Sequence, residues 1–294
     1  MGARPTVFAD ARAARKGAGF VILGVPYDTT SSFRPGARFA PNAIREASWN
    51  FETYLPELGV DLTDIQIHDA GNLEEVGPPE ELVEEVRRAT EGILDGGSFP
   101  VLLGGEHSLT PGAVGAMKEK VDIGVIVLDA HMDFRNEYLR LRHSHACATR
   151  RCSELVGPEA VVPIGVRSVS REEMEDINGR YRGRFKYIGA EEVRRGGIGP
   201  AVRKALRWVG RRSIYLSLDM DALDPAYAPA TGTPEPFGLT PWDVRDAIRL
   251  LAPRLVGFDI VEISPGYDTG NTAALGARLV RELMAAVHGA REGR

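Results

Sequence analysis

The chain has 294 residues, 43% hydrophobic and 26% charged, ordinary globular values at a size that one α/β domain can reach. Its 36 basic and 41 acidic residues leave a net charge of −5, which argues against nucleic acid or an anionic membrane as the main partner and favours a small or cationic one. No stretch approaches a membrane span, the segment from Met1 to Gly17 lacks the apolar core of a signal peptide, and Cys147 and Cys152 are too few for a disulfide framework. The expectation is a single domain over residues 1–294, cytoplasmic, with both thiols reduced.

Short apolar, β-branched runs begin near Val21, Ile65, Pro100, Ile123, Val161, Phe185, Ile214 and Val256, each closed by Gly, Pro, Asp or a charged turn, and predict eight strands. Between them, Pro78 to Leu94 reads as a helix, with Leu82, Val83, Val86, Ile93 and Leu94 largely on one face. Another helix begins at Thr240, which can cap it, with Pro241 at the first helical position, Asp243 at the positive end, and Val244, Ala247, Ile248 and Leu251 as the buried stripe. Strands alternating with helices predict a mainly parallel sheet covered on both faces.

Ligands of such sheets bind at the carboxyl ends of the strands, so the residues just after each apolar run carry the most information. The run ending at Leu103 is followed by Gly104, Gly105, Glu106 and His107, where two glycines predict a tight turn that presents the imidazole. After Leu128 come Asp129, His131 and Asp133, which extended geometry places on one side because side chains alternate with period two. After Leu218 the same alternation aims Asp219 and Asp221 together, and after Val261 stands Glu262, facing the substrate or paired with Arg278. Asp224 reads as a turn residue and His68 and His288 as surface residues, while Glu106 is either a partner behind the site or a solvated side chain. The Asp129, His131, Asp133 cluster is another matter, since three such groups at a buried strand end repel one another and lose solvation unless a cation joins them.

With His107, Asp219 and Asp221 the set reaches four carboxylates and two imidazoles, enough for two divalent ions sharing bridging carboxylates. Hard oxygen donors with imidazole and no thiolate favour manganese, Mn2+, two per chain. Two such ions lie roughly 3.5–4 Å apart and clamp a water whose pKa falls toward neutrality, so no serine or cysteine nucleophile is needed.

The segments GGEHS, DAHMD, SLDMDALDPAYAPATGTPEPFGLT and DIVEISP resemble the signatures of the ureohydrolase family, which includes arginases and agmatinases, in the same order and over most of the chain. Gly24 to Ser48 and His143 to Arg151 resemble agmatinases in particular. The resemblance implies a three-layer α/β/α domain around an eight-stranded, mainly parallel sheet, assembled as a homotrimer or homohexamer. It assigns His107, Asp129, His131, Asp133, Asp219 and Asp221 to the two ions, a proton-moving role to His145 rather than His143, and the reception of a guanidinium to Glu262. Hydrolysis of a small cationic guanidino substrate to urea and an amine follows, with Glu262 placing the guanidinium, Asp133 passing a proton to the leaving amine and His145 exchanging protons with solvent. This chain has Phe237-Gly238 where the family often has two glycines, and the polar run with which arginases hold an α-carboxylate is not visible from Phe134 to Arg140.

Agmatine, converted to putrescine, is therefore the expected substrate, with Glu137 as an acceptor for its far ammonium. Aminopropylagmatine, guanidinobutyrate and arginine are the alternatives, the acids being suited to Arg135, Arg140 and Arg142. A metal-dependent amide deacetylase and a silent polyamine-binding protein are the rivals outside this chemistry; the former usually keeps one zinc and fewer carboxylates, and the full donor set speaks against both.

Overall fold

The computed structural model describes residues 6–74 and 77–293. Among them the elements run β1 Phe20–Val25, α1 Ala40–Ser48, a short hairpin of β2 Tyr54–Leu55 and β3 Val60–Asp61, β4 Ile67–Asn72, α2 Pro79–Asp95 and β5 Phe99–Gly104. They continue with α3 Thr110–Lys118, β6 Ile123–Leu128, α4 Ala148–Val156, β7 Val161–Val166, α5 Arg171–Asn178, β8 Ile188–Gly189, α6 Ala190–Gly196 and α7 Ile198–Val209. The chain closes with β9 Ser213–Asp219, α8 Pro241–Leu251, β10 Leu255–Val261 and α9 Asn271–Arg291.

Eight strands form one sheet in the order β4-β1-β5-β10-β9-β6-β7-β8, and every neighbouring pair is parallel. Because both faces are covered, the inner strands are apolar on both sides: β1, β5, β6 and β7 are buried at every position. The pleat sorts the side chains. Phe20 and Ile22 of β1, with Ile126 and Leu128 of β6, pack in a cluster with residues of α1, α7, α8 and α9. Val21, Leu23 and Val25, with Val125 and Val127, pack in a second cluster with α2, α3 and Cys152 of α4. Two apolar layers of this kind, at about 1.5–3 kcal/mol per large side chain buried, hold the three-layer architecture together.

The helix beginning at Thr240 has the predicted cap: Thr240 Oγ1 accepts from Asp243 N while Asp243 accepts from Thr240 N, and Val244, Ala247, Ile248 and Leu251 are buried. All eight sheet strands lie where the apolar runs fall, with one shift. The run beginning at Phe185 gives a strand of two residues, Ile188–Gly189, at the sheet edge, because Phe185 turns away to pack its ring 4.1 Å from that of Phe134. Near the opposite edge Arg45 of α1 forms a fully buried double hydrogen bond to Asp69 of β4, both contacts at 2.8 Å, and also donates to Gly71 O.

Strands β5, β10, β9 and β6 are the four central neighbours of the sheet. β5 and β6 follow one another in sequence but are separated in space by β10 and β9, so the connections leaving their carboxyl ends diverge and open a crevice there.

Candidate metal centre and active site

The four central strand ends deliver His107, Asp129 to Asp133, Asp219 with Asp221, and Glu262 to this crevice. Convergence is as expected, but its cause differs from simple alternation. β6 ends at Leu128, and Asp133 reaches the centre by adopting φ 48, in the left-handed region. Asp219 is the last residue of β9 and Asp221 sits in a 3-10 turn, Met220–Ala222, that Asp219 caps. Gly104 and Gly105 serve close packing rather than a turn: a Cβ on Gly105 would lie 1.9 Å from Tyr27 O, and one on Gly104 2.5 Å from Leu109 Cδ2.

One oxygen of each of three carboxylates is fixed by the backbone. Asp129 Oδ1 accepts from His131 N at 2.6 Å, Asp219 Oδ1 from Asp221 N at 2.8 Å, and Asp221 Oδ1 from Ala130 N at 3.1 Å. The other oxygens point inward. His107 Nδ1 lies 3.3, 3.2 and 3.4 Å from Oδ2 of Asp129, Asp133 and Asp219, and His131 Nδ1 lies 3.0 Å from Asp221 Oδ2. Two groups of donor atoms result, His107 with Asp129 and Asp219, and His131 with Asp129 and Asp221, which share Asp129.

This cluster sets four carboxylates against two imidazoles. Burial, then repulsion from Asp133 and Asp221, pushes Asp129 up to about 7; burial, then Asp221, raises Asp219 well above the carboxylate range. Burial opposes charge on His131 too, but Asp221 and the other carboxylates outweigh it and raise it to about 11. His107 Nδ1 and Asp129 Oδ2, both buried, have no hydrogen-bond partner among the described residues. Behind His107, Asp259 is fully buried and accepts from Ser217 Oγ, Thr110 Oγ1 and Tyr215 OH. Ser217, whose proton goes to Asp259, accepts from His107 Nε2 at 3.0 Å, which leaves the Nδ1 lone pair aimed at the carboxylates. A set of carboxylate oxygens and imidazole nitrogens arranged this way fits divalent cations.

Glu262 is buried at φ 65, and the strained backbone is held by Glu262 N donating to Gly105 O. Its Oε1 accepts from His107 N at 2.7 Å; Arg278 pairs with Glu282 instead, which removes the salt-bridge alternative. Burial, then Glu106, raises Glu262 well above the usual carboxylate range. A cavity of about 290 Å³ lies over the cluster, bounded by His131, Asp133, Asp219, Asp221 and Glu262 and walled by Arg135, Tyr138, His145 and Thr233. Of the two histidines in the following loop, His145 lines this cavity and His143 does not. Glu137 is exposed and outside the lining, so it is not the acceptor expected there; Arg135 lines the wall, with its guanidinium over the Tyr138 ring and 3.7 Å from Glu172.

Asp224 is the turn residue expected, accepting from Ala226 N and Gly238 N. Glu106 is fully buried behind the site rather than solvated. Phe237 adopts φ 66, the conformation a glycine takes without strain, so the loop keeps its course with a ring that is 89% exposed, and Arg167 ties it down by donating to the carbonyls of Glu235 and Pro236. Sequence reasoning gave no role to Thr30, Ser217, Asp259 or Arg167. For Ser217 a signal existed: Ser213, Tyr215 and Ser217 put three hydroxyls on the face of β9 that ends in Asp219, opposite the apolar Ile214, Leu216 and Leu218.

A three-layer parallel fold with two donor groups at its central strand ends that could hold metal ions has the layout of a metal-dependent α/β enzyme. The chain belongs to the arginase family, whose model matches residues 18–286 and whose members bind a binuclear metal centre. It is 34% identical over 286 residues to the agmatinase of Bacillus subtilis, covering 95% of each chain, and 38% identical over 263 residues to the N(1)-aminopropylagmatine ureohydrolase of Thermococcus kodakarensis, covering 88% and 86%. Among solved structures, the agmatine ureohydrolase of Thermoplasma volcanium matches with TM-score 0.92 at 40% identity, covering 100% of this chain and 97% of that one. The protein is an agmatinase-like ureohydrolase.

Proposed function

We propose that this enzyme hydrolyses agmatine to urea and putrescine at two manganese ions held by His107, Asp129, His131, Asp133, Asp219 and Asp221. The observation that carries the reading is the pair of donor groups sharing Asp129 directly beneath a cavity that also exposes Glu262. Agmatine as the particular substrate draws its support from the names of the Bacillus and Thermoplasma relatives.

When bound, the ions supply a water of lowered pKa and stabilise developing negative charge. The side chains do the rest. Glu262 Oε1 is occupied by His107 N–H, which leaves Oε2 to accept from the substrate guanidinium and hold its carbon over the cluster. A guanidinium keeps its charge at any working pH, so its arrival beside Glu262 favours the ionised carboxylate that burial and Glu106 oppose. Asp133, open to the cavity, is placed to take a proton and return it to the leaving amine, and His145 exchanges protons between cavity and solvent.

Metal analysis tests the centre: two manganese ions per chain are expected, whereas one zinc would point to a deacetylase and none to a silent binder. Urea release from agmatine, aminopropylagmatine, guanidinobutyrate and arginine tests the substrate, with the highest kcat/KM expected for agmatine. A preference for either acid would overturn agmatine and leave the centre intact. We place the enzyme in the cytoplasm as a homotrimer or homohexamer; light scattering that gave a monomer at micromolar concentration would count against the assembly. No helix among the described residues is long and apolar enough to cross a membrane.

A further inference from the structure

His145 is held from behind. Glu106, fully buried, accepts three hydrogen bonds, from Thr30 N at 2.7 Å, Thr30 Oγ1 at 2.6 Å and Ser108 Oγ at 2.6 Å. A hydroxyl has one proton, so Thr30 Oγ1, having donated to Glu106, can only accept from its other neighbours. Those neighbours are His145 N and His145 Nδ1, each at 3.0 Å. An acceptor at that distance places a proton on Nδ1, and the neutral imidazole then carries its lone pair on Nε2. Nε2 is the nitrogen on the side of Ser32, 3.5 Å from its hydroxyl, and Ser32 lines the cavity with His145. Ser144 Oγ, 3.4 Å from Nδ1, is the more distant contact of that nitrogen.

We infer that Thr30 and Glu106 are positioning residues for the reaction: the buried carboxylate, acting through one threonine hydroxyl, fixes the orientation and the proton placement of His145 so that Nε2 meets the bound substrate. The inference rests on His145 being the proton carrier. When Nε2 takes up a proton, Nδ1–H remains bonded to Thr30 and the Glu106 carboxylate stabilises the imidazolium through that hydroxyl, with no proton leaving the chain of hydrogen bonds. The connection is built from three separate parts of the chain: the segment after β1, the end of β5 and the loop before α4. The competing account is that Thr30 and Glu106 only fasten the segment after β1 to the end of β5.

A double-mutant cycle separates the two accounts. Thr30→Val removes the hydroxyl but keeps the shape and the N–H bond to Glu106. In the wild-type background we expect kcat to fall about 10- to 100-fold with KM and bound manganese unchanged, and Thr30→Ser to restore it. In a His145→Ala background Thr30→Val should change kcat less than about twofold, since the group it acts through is gone. Imidazole added to His145→Ala should raise its rate whether or not Thr30 is present. Equal losses in both backgrounds, loss of metal, or no loss in the wild type would each overturn the positioning role while leaving His145 in place. Failure of His145→Ala to lower kcat would instead remove the proton carrier, and the inference with it.

Discussion

Arg45 and Asp69, on α1 and β4, are buried as deeply as Asp129 and Asp219 at the ends of β6 and β9, yet the two regions treat charge in opposite ways. The Arg45 guanidinium spends its donors on Asp69, Asn72 and Gly71 O, and Asp69 further accepts from Phe8 N and Gly71 N. Every charge there has an opposite charge, so the pair is complete and joins a helix to the sheet. At the strand ends four carboxylates face two imidazoles, Asp129 and Asp219 are pushed toward their neutral forms, and His107 Nδ1 and Asp129 Oδ2 remain without hydrogen bonds. A buried polar cluster that is internally satisfied is structure, and one left unsatisfied is a site for something else.

Substitutions on the two sides sharpen that contrast. The largest effect is expected from Asp129→Ala or Asp219→Ala, which take a charged donor from the shared centre: manganese content measured by atomic emission should fall and turnover disappear. A variant that held both ions and turned over normally would refute the ligand assignment. Asp69→Ala strands the Arg45 guanidinium and should cost about 3–5 kcal/mol in urea unfolding, while the fraction that folds keeps its metal. Chelation should act on the centre alone, lowering Tm because it removes the binding free energy, about 2.7 kcal/mol per site at a metal concentration one hundred times that site's Kd. Were Tm indifferent to chelator, the strand-end cluster would be as complete as the Arg45 pair.

Smaller effects follow from groups that are neither ligand nor buried pair. His145→Ala should retain manganese and lower kcat by about 10²-fold, as expected of a general acid–base group rather than a donor to the ion. Metal loss in that variant would move His145 into the centre. The smallest response concerns the thiols. Burial pushes Cys147 up to about 12 and Cys152 higher still, so both are protonated and unreactive at pH 8. Alkylation should proceed only when denaturant opens the fold, and labelling of Cys152 in the native enzyme would show that α4 opens locally.

Much of this was written in the sequence, though not always for the reason the sequence offered. The eight apolar runs located the sheet strands because a parallel sheet covered on both faces needs continuous apolar segments, and the cap at Thr240 was legible because capping is local. The run at Phe185 misled because an aromatic residue can bury itself against Phe134 and Tyr181 as well as in a strand. The site residues were legible as polar residues closing apolar runs, while their aim was not: Asp133 and Glu262 reach the cavity through left-handed backbone that alternation does not anticipate.

The sequence alone determined where the sheet strands fall and which carboxylates and imidazoles stand at their carboxyl ends, since these depend on residue type and short-range pattern. Only the tertiary structure decided that β10 and β9 separate β5 from β6, that the donors divide into two groups sharing Asp129, that Arg278 turns to Glu282, and that Glu106 reaches His145 through Thr30. Those contacts join residues 76 and 115 positions apart around Thr30 alone, and no local pattern encodes which side chains will meet once distant strands are laid side by side.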